Sequence, residues 1–399
     1  MRDVLSVLLA IGVTTGLLYG LRPFAYRIGL LDSPGARKTH RGDVPIIGGL
    51  AMFIGFSISV LTLDVGLFEL RPFFAASAIL VLVGVLDDWH ELSSRARFAA
   101  QIFAAILMVE WGRVVLVDLG ALHSDGGLFT LGVFAVPFSV FCTVGVINAL
   151  NMIDGVDGLA GGVALVALSA LACLAHMGGQ SVHRDVLIVL SLCVMCFVFV
   201  NSRTPWRSHA SVFMGDAGSM FLGFSITWFF IDLSQGPERV MTPVTALWFL
   251  LVPLFDTVWL LFKRPLSGRW PTAASHDHIH HVLQQCGLQA GATAALLWLV
   301  AALAAAIGIM GTVFKISEAS LFYGFLSLFA LYAVVMALLL RKGFGSNRDA
   351  SQVFDDDVSR TGGETLERRV GLGERRQVTA RRERRANHDR RAADDRRNP

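Results

Sequence analysis

The sequence is poor in charge. Only 16% of its 399 residues are Asp, Glu, Lys or Arg, against 54% apolar and a mean hydropathy of +0.59, whereas soluble domains carry about 25% charged and 45–50% apolar residues. That shortage excludes an ordinary water-soluble enzyme and implies a chain solvated by lipid. Cysteine is scarce as well: Cys142, Cys173, Cys193 and Cys196 fall in apolar runs and Cys286 in a polar loop, which excludes a disulfide framework. Cys193 and Cys196 form a C-x-x-C without polar or strand context, and they read as helix packing. A cleavable leader is not expected either, because the first apolar run, Val4 to Leu21, is followed by Arg22 and Arg27 rather than by a small-residue cleavage site.

What the chain has in abundance is long apolar runs. A bilayer core about 30 Å thick takes about 20 residues of helix, and eleven runs qualify: 4–21, 46–63, 72–86, 98–117, 128–147, 159–177, 186–200, 212–231, 240–262, 293–314 and 320–340. The expected fold class is therefore all-α, a polytopic membrane helix bundle of about 11 transmembrane helices. Positive loops stay cytoplasmic. With the N-terminus outside, the inner loops hold Arg22, Arg27, Arg37, Lys38, Arg41, Arg95, Arg97, Arg203, Arg207, Lys263, Arg264 and Arg269, twice as many Lys and Arg as the outer loops. The predicted location is a bacterial cytoplasmic (inner) membrane, multi-pass, with the N-terminus periplasmic and the C-terminus cytoplasmic.

The formal charge of +3 is unevenly spread. Residues 1–340 hold 18 Lys and Arg against 20 Asp and Glu, and residues 341–399 hold 16 against 11. Two parts are expected: a membrane domain over 1–342 and a disordered basic cytoplasmic tail over 343–399, where acid-Arg-Arg recurs at Glu367, Glu374, Glu383, Asp389 and Asp395. The tail reads as a solvated stop-transfer segment, as a surface leaning on anionic headgroups, or as a docking segment for a cytoplasmic glycosyltransferase.

Five inner segments hold nearly all the side chains that could do chemistry, and together they predict a shallow polar site on the cytoplasmic face. One runs from Asp32 through His40 to Asp43. The second, Asp87-Asp88-Trp89-His90-Glu91, puts paired acids at the end of a span, where they are either a solvated helix end or ligands of a hard cation such as Mg²⁺ or Mn²⁺; carboxylates at a helix C-terminus are electrostatically unfavourable without one. In the third, Asn148, Asn151, Asp154 and Asp157 recur every three residues. On an unbroken helix the series drifts about 60° per step, so Asp157 joins the others only if the helix breaks, which Gly155 and Gly158 permit; the alternative is a polar seam between helices.

The fourth, Phe213-Met-Gly215-Asp216-Ala-Gly218-Ser219, starts a span. It offers free backbone N–H groups beside a carboxylate, suited to a phosphate and its metal, or else an N-cap by Asp216. Phe213 is core packing or a surface for a base. The fifth, His276-Asp277-His278-Ile279-His280-His281, allows a zinc site by spacing, hydrogen bonds to a diphosphate, or a solvated loop.

At these residues the chain resembles the polyprenyl-phosphate N-acetylhexosamine-1-phosphate transferases, the WecA-like branch of a superfamily that also contains the phospho-MurNAc-pentapeptide translocase. The resemblance spans about residues 25–340 and rests on the paired Asp, the Asn-x-x-Asn-x-x-Asp-Gly-x-Asp-Gly run, the Phe-Met-Gly-Asp-x-Gly-Ser run and His-Ile-His-His. It implies transfer of N-acetylhexosamine 1-phosphate, GlcNAc-1-phosphate foremost, from a UDP-sugar to undecaprenyl phosphate. UMP leaves, and lipid-linked polysaccharide synthesis (O-antigen, enterobacterial-common-antigen-like or exopolysaccharide) begins. By the same resemblance Mg²⁺ or Mn²⁺ is required, with Asp216 and Asp88 as metal ligands. Asp87, Asp88, Asp154 and Asp157 are the catalytic residues, and Asn148, Asn151, Phe213, His40, His278, His280 and His281 bind substrate. The expected partners are UDP-N-acetylhexosamine, undecaprenyl phosphate, membrane lipid and a second copy in a homodimer; no nucleic acid is expected.

Physical chemistry points the same way. A phosphate monoester and a diphosphate brought beside several carboxylates repel them unless a divalent cation inverts the local field. A general-base role for Asp87 is the weaker assignment, since a monoester with a second pKa near about 6 is already mostly dianionic at neutral pH. Two other readings remain. The translocase carries three consecutive histidines, a pattern this chain lacks. A secondary transporter would place its site near the bilayer midplane, where only Asp256, a buried structural carboxylate or the floor of the site, is found.

Overall fold

The computed structural model describes residues 2–33, 42–123, 126–204, 206–207, 209–266 and 277–342. His40, His276 and the expected tail over 343–399 lie outside the described residues. In chain order the helices are α1 (Arg2–Gly20), α2 (Arg22–Ile28), α3 (Gly48–Val60), α4 (Leu67–His90), α5 (Ser94–Glu110), α6 (Ala135–Ile153), α7 (Leu159–Met177), α8 (Ser181–Asn201), α9 (Gly215–Ser234), α10 (Pro243–Phe249), α11 (Leu251–Leu266), α12 (Ile279–Gln285), α13 (Ala290–Val313) and α14 (Glu318–Arg341). Two-residue strands, β1 (Leu31–Asp32) and β2 (Val44–Pro45), pair antiparallel between α2 and α3.

The protein is an all-α, multi-pass membrane protein. Among the described residues, eight helices are long and apolar enough to cross a bilayer, nine if the bent pair α10–α11 is counted as one span. The expected spans at 46–63 and 98–117 correspond to helices of 13 and 17 residues, about 20 and 25 Å long at 1.5 Å per residue, the second at the lower end of the length that crosses a bilayer core. The expected span over 240–262 is broken at Leu250 by 87°. Pro253 explains the break, because it has no N–H to offer the Phe249 carbonyl four residues earlier.

The centre of the bundle is α9. It has the lowest hydropathy of the eight spans, and 94% of its most apolar window is buried, against 11% for α14. A relatively polar helix is tolerated in a membrane where protein rather than lipid surrounds it. α4, α6 and α3 pack directly on it. Phe53, Phe56, Phe73, Phe74, Phe221, Phe224, Trp228 and Phe229 fill the α3–α4–α9 junction, with ring centroids 5.4–6.0 Å apart.

Close approach at one end of α9 depends on residues without side chains. A Cβ on Gly84 of α4 would overlap the Ala217 backbone, and one on Gly49 of α3 would overlap Gly218. β2 and the start of α3 are laced to the segment before α9: Phe213 N–H donates to the Pro45 carbonyl, and Gly48 and Gly49 donate to Phe213 and Met214 at 2.9 and 3.0 Å. The C-terminal ends of α4 and α6 and the N-terminal end of α9 thus meet on one face.

Candidate active site

The centre of the site is the first turn of α9. Gly215 adopts φ +71°, a conformation that favours glycine, and it lies where a Cβ would overlap the Asp88 carboxylate. Asp88, from the last turn of α4, accepts the backbone N–H groups of Asp216 at 2.8 Å and Ala217 at 3.3 Å. The expectation of free N–H groups at this helix start is corrected. A carboxylate supplied by α4 already takes them, as a helix N-terminus favours, and Asp216 is the second residue of the helix rather than its cap.

The Asp216 side chain faces two neighbours. Its Oδ1 accepts the Asn151 amide, which also donates to Ser219 Oγ at 2.9 Å. Its Oδ2 lies 3.1 Å from Arg97 Nη1, and the same nitrogen lies 3.0 Å from Asp87 Oδ2. Asp87 is 5% exposed. Its other oxygen accepts Leu92 N–H at 2.7 Å, because the chain turns back at Glu91, which has φ +51°. Arg97, on the second turn of α5, therefore bridges the paired-acid motif and the Gly-Asp motif. It counted in the sequence only as one more inner-loop cation.

The expected break after α6 is present: the helix ends at Ile153, Gly158 has φ +83°, and α7 starts at Leu159. Asn201 holds the break, accepting Gly158 N–H at 2.7 Å and donating to the Val212 carbonyl, and Trp298 of α13 donates to the Gly158 carbonyl at 3.1 Å. Asp157 is turned to Arg203, 2.7 Å away. Asp154 lies in the break with its N–H donating to the Asn151 carbonyl at 3.2 Å and its carboxylate without a hydrogen bond among the described residues. Burial, reinforced by the charges of Asp216, Asp88 and Asp157, pushes its carboxyl well above the ordinary carboxylate range. Asn148 does not reach this group; its amide donates to Gln101 of α5 and to the Val144 carbonyl, both at 2.7 Å.

The histidines approach the break between α6 and α7. His280 is 1% exposed and His278 8%, and the His280–His281 and His278–His280 ring centroids are 4.3 and 5.4 Å apart. A Cβ on Gly155 would come within 2.6 Å of His280 Nε2, so the glycine next to Asp154 admits the imidazole. Phe213 is half-buried at the entrance to α9. Among the described residues, no three His, Cys, Asp or Glu side chains converge as a ready metal site. The zinc reading rests on His276 with His280 and His281, and His276 lies outside the described residues.

Comparisons with known proteins establish the family. Residues 70–234, which span α4 to α9, match the family described as Glycosyl transferase family 4. The chain is 37% identical over 316 residues to the undecaprenyl-phosphate alpha-N-acetylglucosaminyl 1-phosphate transferase of Haemophilus influenzae, covering 78% of this chain and 88% of that protein. Proteins of the same name from Pasteurella multocida and Escherichia coli K12 are 35% and 32% identical, over 78% and 77% of this chain and 87% and 83% of their own lengths. The chain belongs to glycosyl transferase family 4, among its membrane-bound sugar-1-phosphate transferases, and is an enzyme of that kind.

Proposed function

We propose that the protein transfers GlcNAc-1-phosphate from UDP-GlcNAc to undecaprenyl phosphate at the cytoplasmic face of a bacterial inner membrane, with its N-terminus periplasmic and its C-terminus cytoplasmic, releasing UMP. The observation that carries this reading is the meeting of Asp87, Asp88, Asp154 and Asp216 at one end of the α4–α6–α9 core, in a chain whose relatives are named for that reaction.

In the reaction, an oxygen of the acceptor monoester attacks the β-phosphorus of the nucleotide sugar. The new P–O bond forms as the bond to the bridging oxygen breaks, and that oxygen departs with UMP. Positioning and electrostatics supply most of the rate in such transfers. Asp88 holds the first turn of α9 and thereby aims Asp216. Asn151 fixes the Asp216 rotamer, and Arg97 keeps Asp87 and Asp216 on a common side.

Donor chemistry tests the fit of a divalent cation. The donors are hard carboxylate oxygens, the Asp154 carboxylate accepts no hydrogen bond among the described residues, and a guanidinium already sits between Asp87 and Asp216, the kind of charge the group needs. These features suit Mg²⁺ or Mn²⁺, held by Asp216 and Asp154, with Asp154 in the place expected of Asp88, whose oxygens accept the Asp216 and Ala217 N–H groups. When bound, the ion would offset the charge of the phosphates. Asp157, tied to Arg203, shapes the α6–α7 turn, and the His278–His280–His281 group faces the diphosphate and sugar.

The deciding experiment supplies undecaprenyl phosphate and a panel of radiolabelled UDP-N-acetylhexosamines and measures both UMP and lipid product. UDP-GlcNAc is expected to give both, with Asp216→Ala giving neither. Labelled substrate entering vesicles without UMP release would overturn the assignment in favour of transport.

A further inference from the structure

Asp256 is the acidic residue that the sequence leaves inside an apolar run, and the reaction above makes no use of it. It lies on α11 just past the 87° break and is 0% exposed. An isolated buried carboxylate is costly, yet both of its oxygens are engaged. Oδ2 lies 2.6 Å from His278 Nδ1, and Oδ1 accepts Ile279 N–H at 2.8 Å. The Tyr332 phenol of α14 lies beside the same carboxylate without a hydrogen bond of ordinary geometry. About two turns further along α11, Lys263 Nζ pairs with Asp277 at 2.6 Å. Two acid–base pairs therefore register residues 277–279 on α11, immediately before the helix that carries His280 and His281.

We infer that Asp256 is a positioning residue for His278. Its carboxylate holds the imidazole with Nδ1 protonated and the ring angle fixed, which leaves Nε2 as the nitrogen open to a ligand. A histidine so held is a better-oriented partner at Nε2. The His278 and His280 rings are 16° from parallel, so the angle set at His278 is passed to its neighbour by packing. The inference rests on the proposed role of the histidine group beside the diphosphate, and it adds the residue that aims that group from within the membrane. A carboxylate that only anchored α12 would need the Ile279 N–H bond alone.

The test uses the full chain in lipid. With ¹⁵N-labelled histidine and the His278 signal assigned by its loss in His278→Gln, magic-angle-spinning spectra are expected to show Nδ1 protonated in the wild-type protein. A bare Nδ1 overturns the inference without any variant having to fold at position 256. In kinetics, Asp256→Asn is expected to lower kcat about 10- to 100-fold, the range for carboxylate partners of functional histidines, with the donor KM far less affected. The double variant with His278→Ala is expected to be no slower than His278→Ala alone. Losses that multiply would overturn the role of Asp256 while leaving the histidine assignment standing. Full turnover by His278→Ala would overturn the histidine assignment itself, and this inference with it.

Discussion

Asp88 and Asp216 are joined through the main chain: the Asp88 carboxylate, at the end of α4, receives the Asp216 N–H at 2.8 Å and so determines where the Asp216 side chain starts. The two motifs are 128 residues apart in sequence and act as one unit. Asp88→Ala is expected to cost about 0.5–2 kcal/mol in stability, as the loss of a helix cap does, and to reduce turnover by far more than that fraction of folding. Asp88→Asn, which keeps one acceptor oxygen, is expected to fall between. Thermal unfolding and UMP release measured on the same preparations separate the two effects.

Gly215→Ala is expected to break the same junction from the other side. Its φ of +71° imposes about 1–2 kcal/mol on any L side chain, and the new methyl would overlap the Asp88 carboxylate. Turnover should be nearly abolished. Gly12→Ala, where nothing lies within 4 Å, is the matched control and should leave turnover unchanged.

Arg97→Gln removes the cation between Asp87 and Asp216. In metal-free buffer the variant is expected to melt a few degrees below the wild type, because two close carboxylates lose the charge that offsets them. Millimolar Mg²⁺ should recover most of that difference. An equal melting temperature in chelator would show that the bridge carries no stability.

Asp154 gives a pH dependence with a defined sign. Its carboxyl is held well above the ordinary range, so the folded state binds a proton there that the unfolded state has already released. Metal-free stability should therefore fall as pH rises through the raised value. Added Mg²⁺ or Mn²⁺ should counter that fall, and its binding should release protons. Calorimetry in buffers of different ionisation enthalpy reads the proton count directly, and Asp154→Asn should reduce it.

The membrane class, the helix break between Ile153 and Leu159, and the clustering of the acid motifs on one face were legible because each leaves a local mark. Apolar length marks a span, glycine marks a break, and dense carboxylates at span ends mark a site. Arg97 left no such mark, since its importance comes from reaching two carboxylates that belong to other helices. The free N–H groups expected at α9 failed for a related reason: Asp88, their acceptor, comes from a distant part of the chain. Asn148 fits the repeat of its motif, yet a step of three residues rotates it toward Gln101 of α5. The α10–α11 break was signalled by Pro253, a cue that the apolar count over 240–262 averages away.

The burial of α9 constrains how the enzyme can adapt to what it binds. With protein packed around almost its whole circumference, α9 cannot tilt or slide without disturbing α3, α4 and α6 together, so Asp216 belongs to a wall of fixed shape. α12 is different, since two acid–base pairs on α11 hold the segment that leads into it. Differences in sugar preference among related chains should therefore map to the histidine side of the site, where a small shift in one anchor changes the shape of the opening and leaves the carboxylate side untouched.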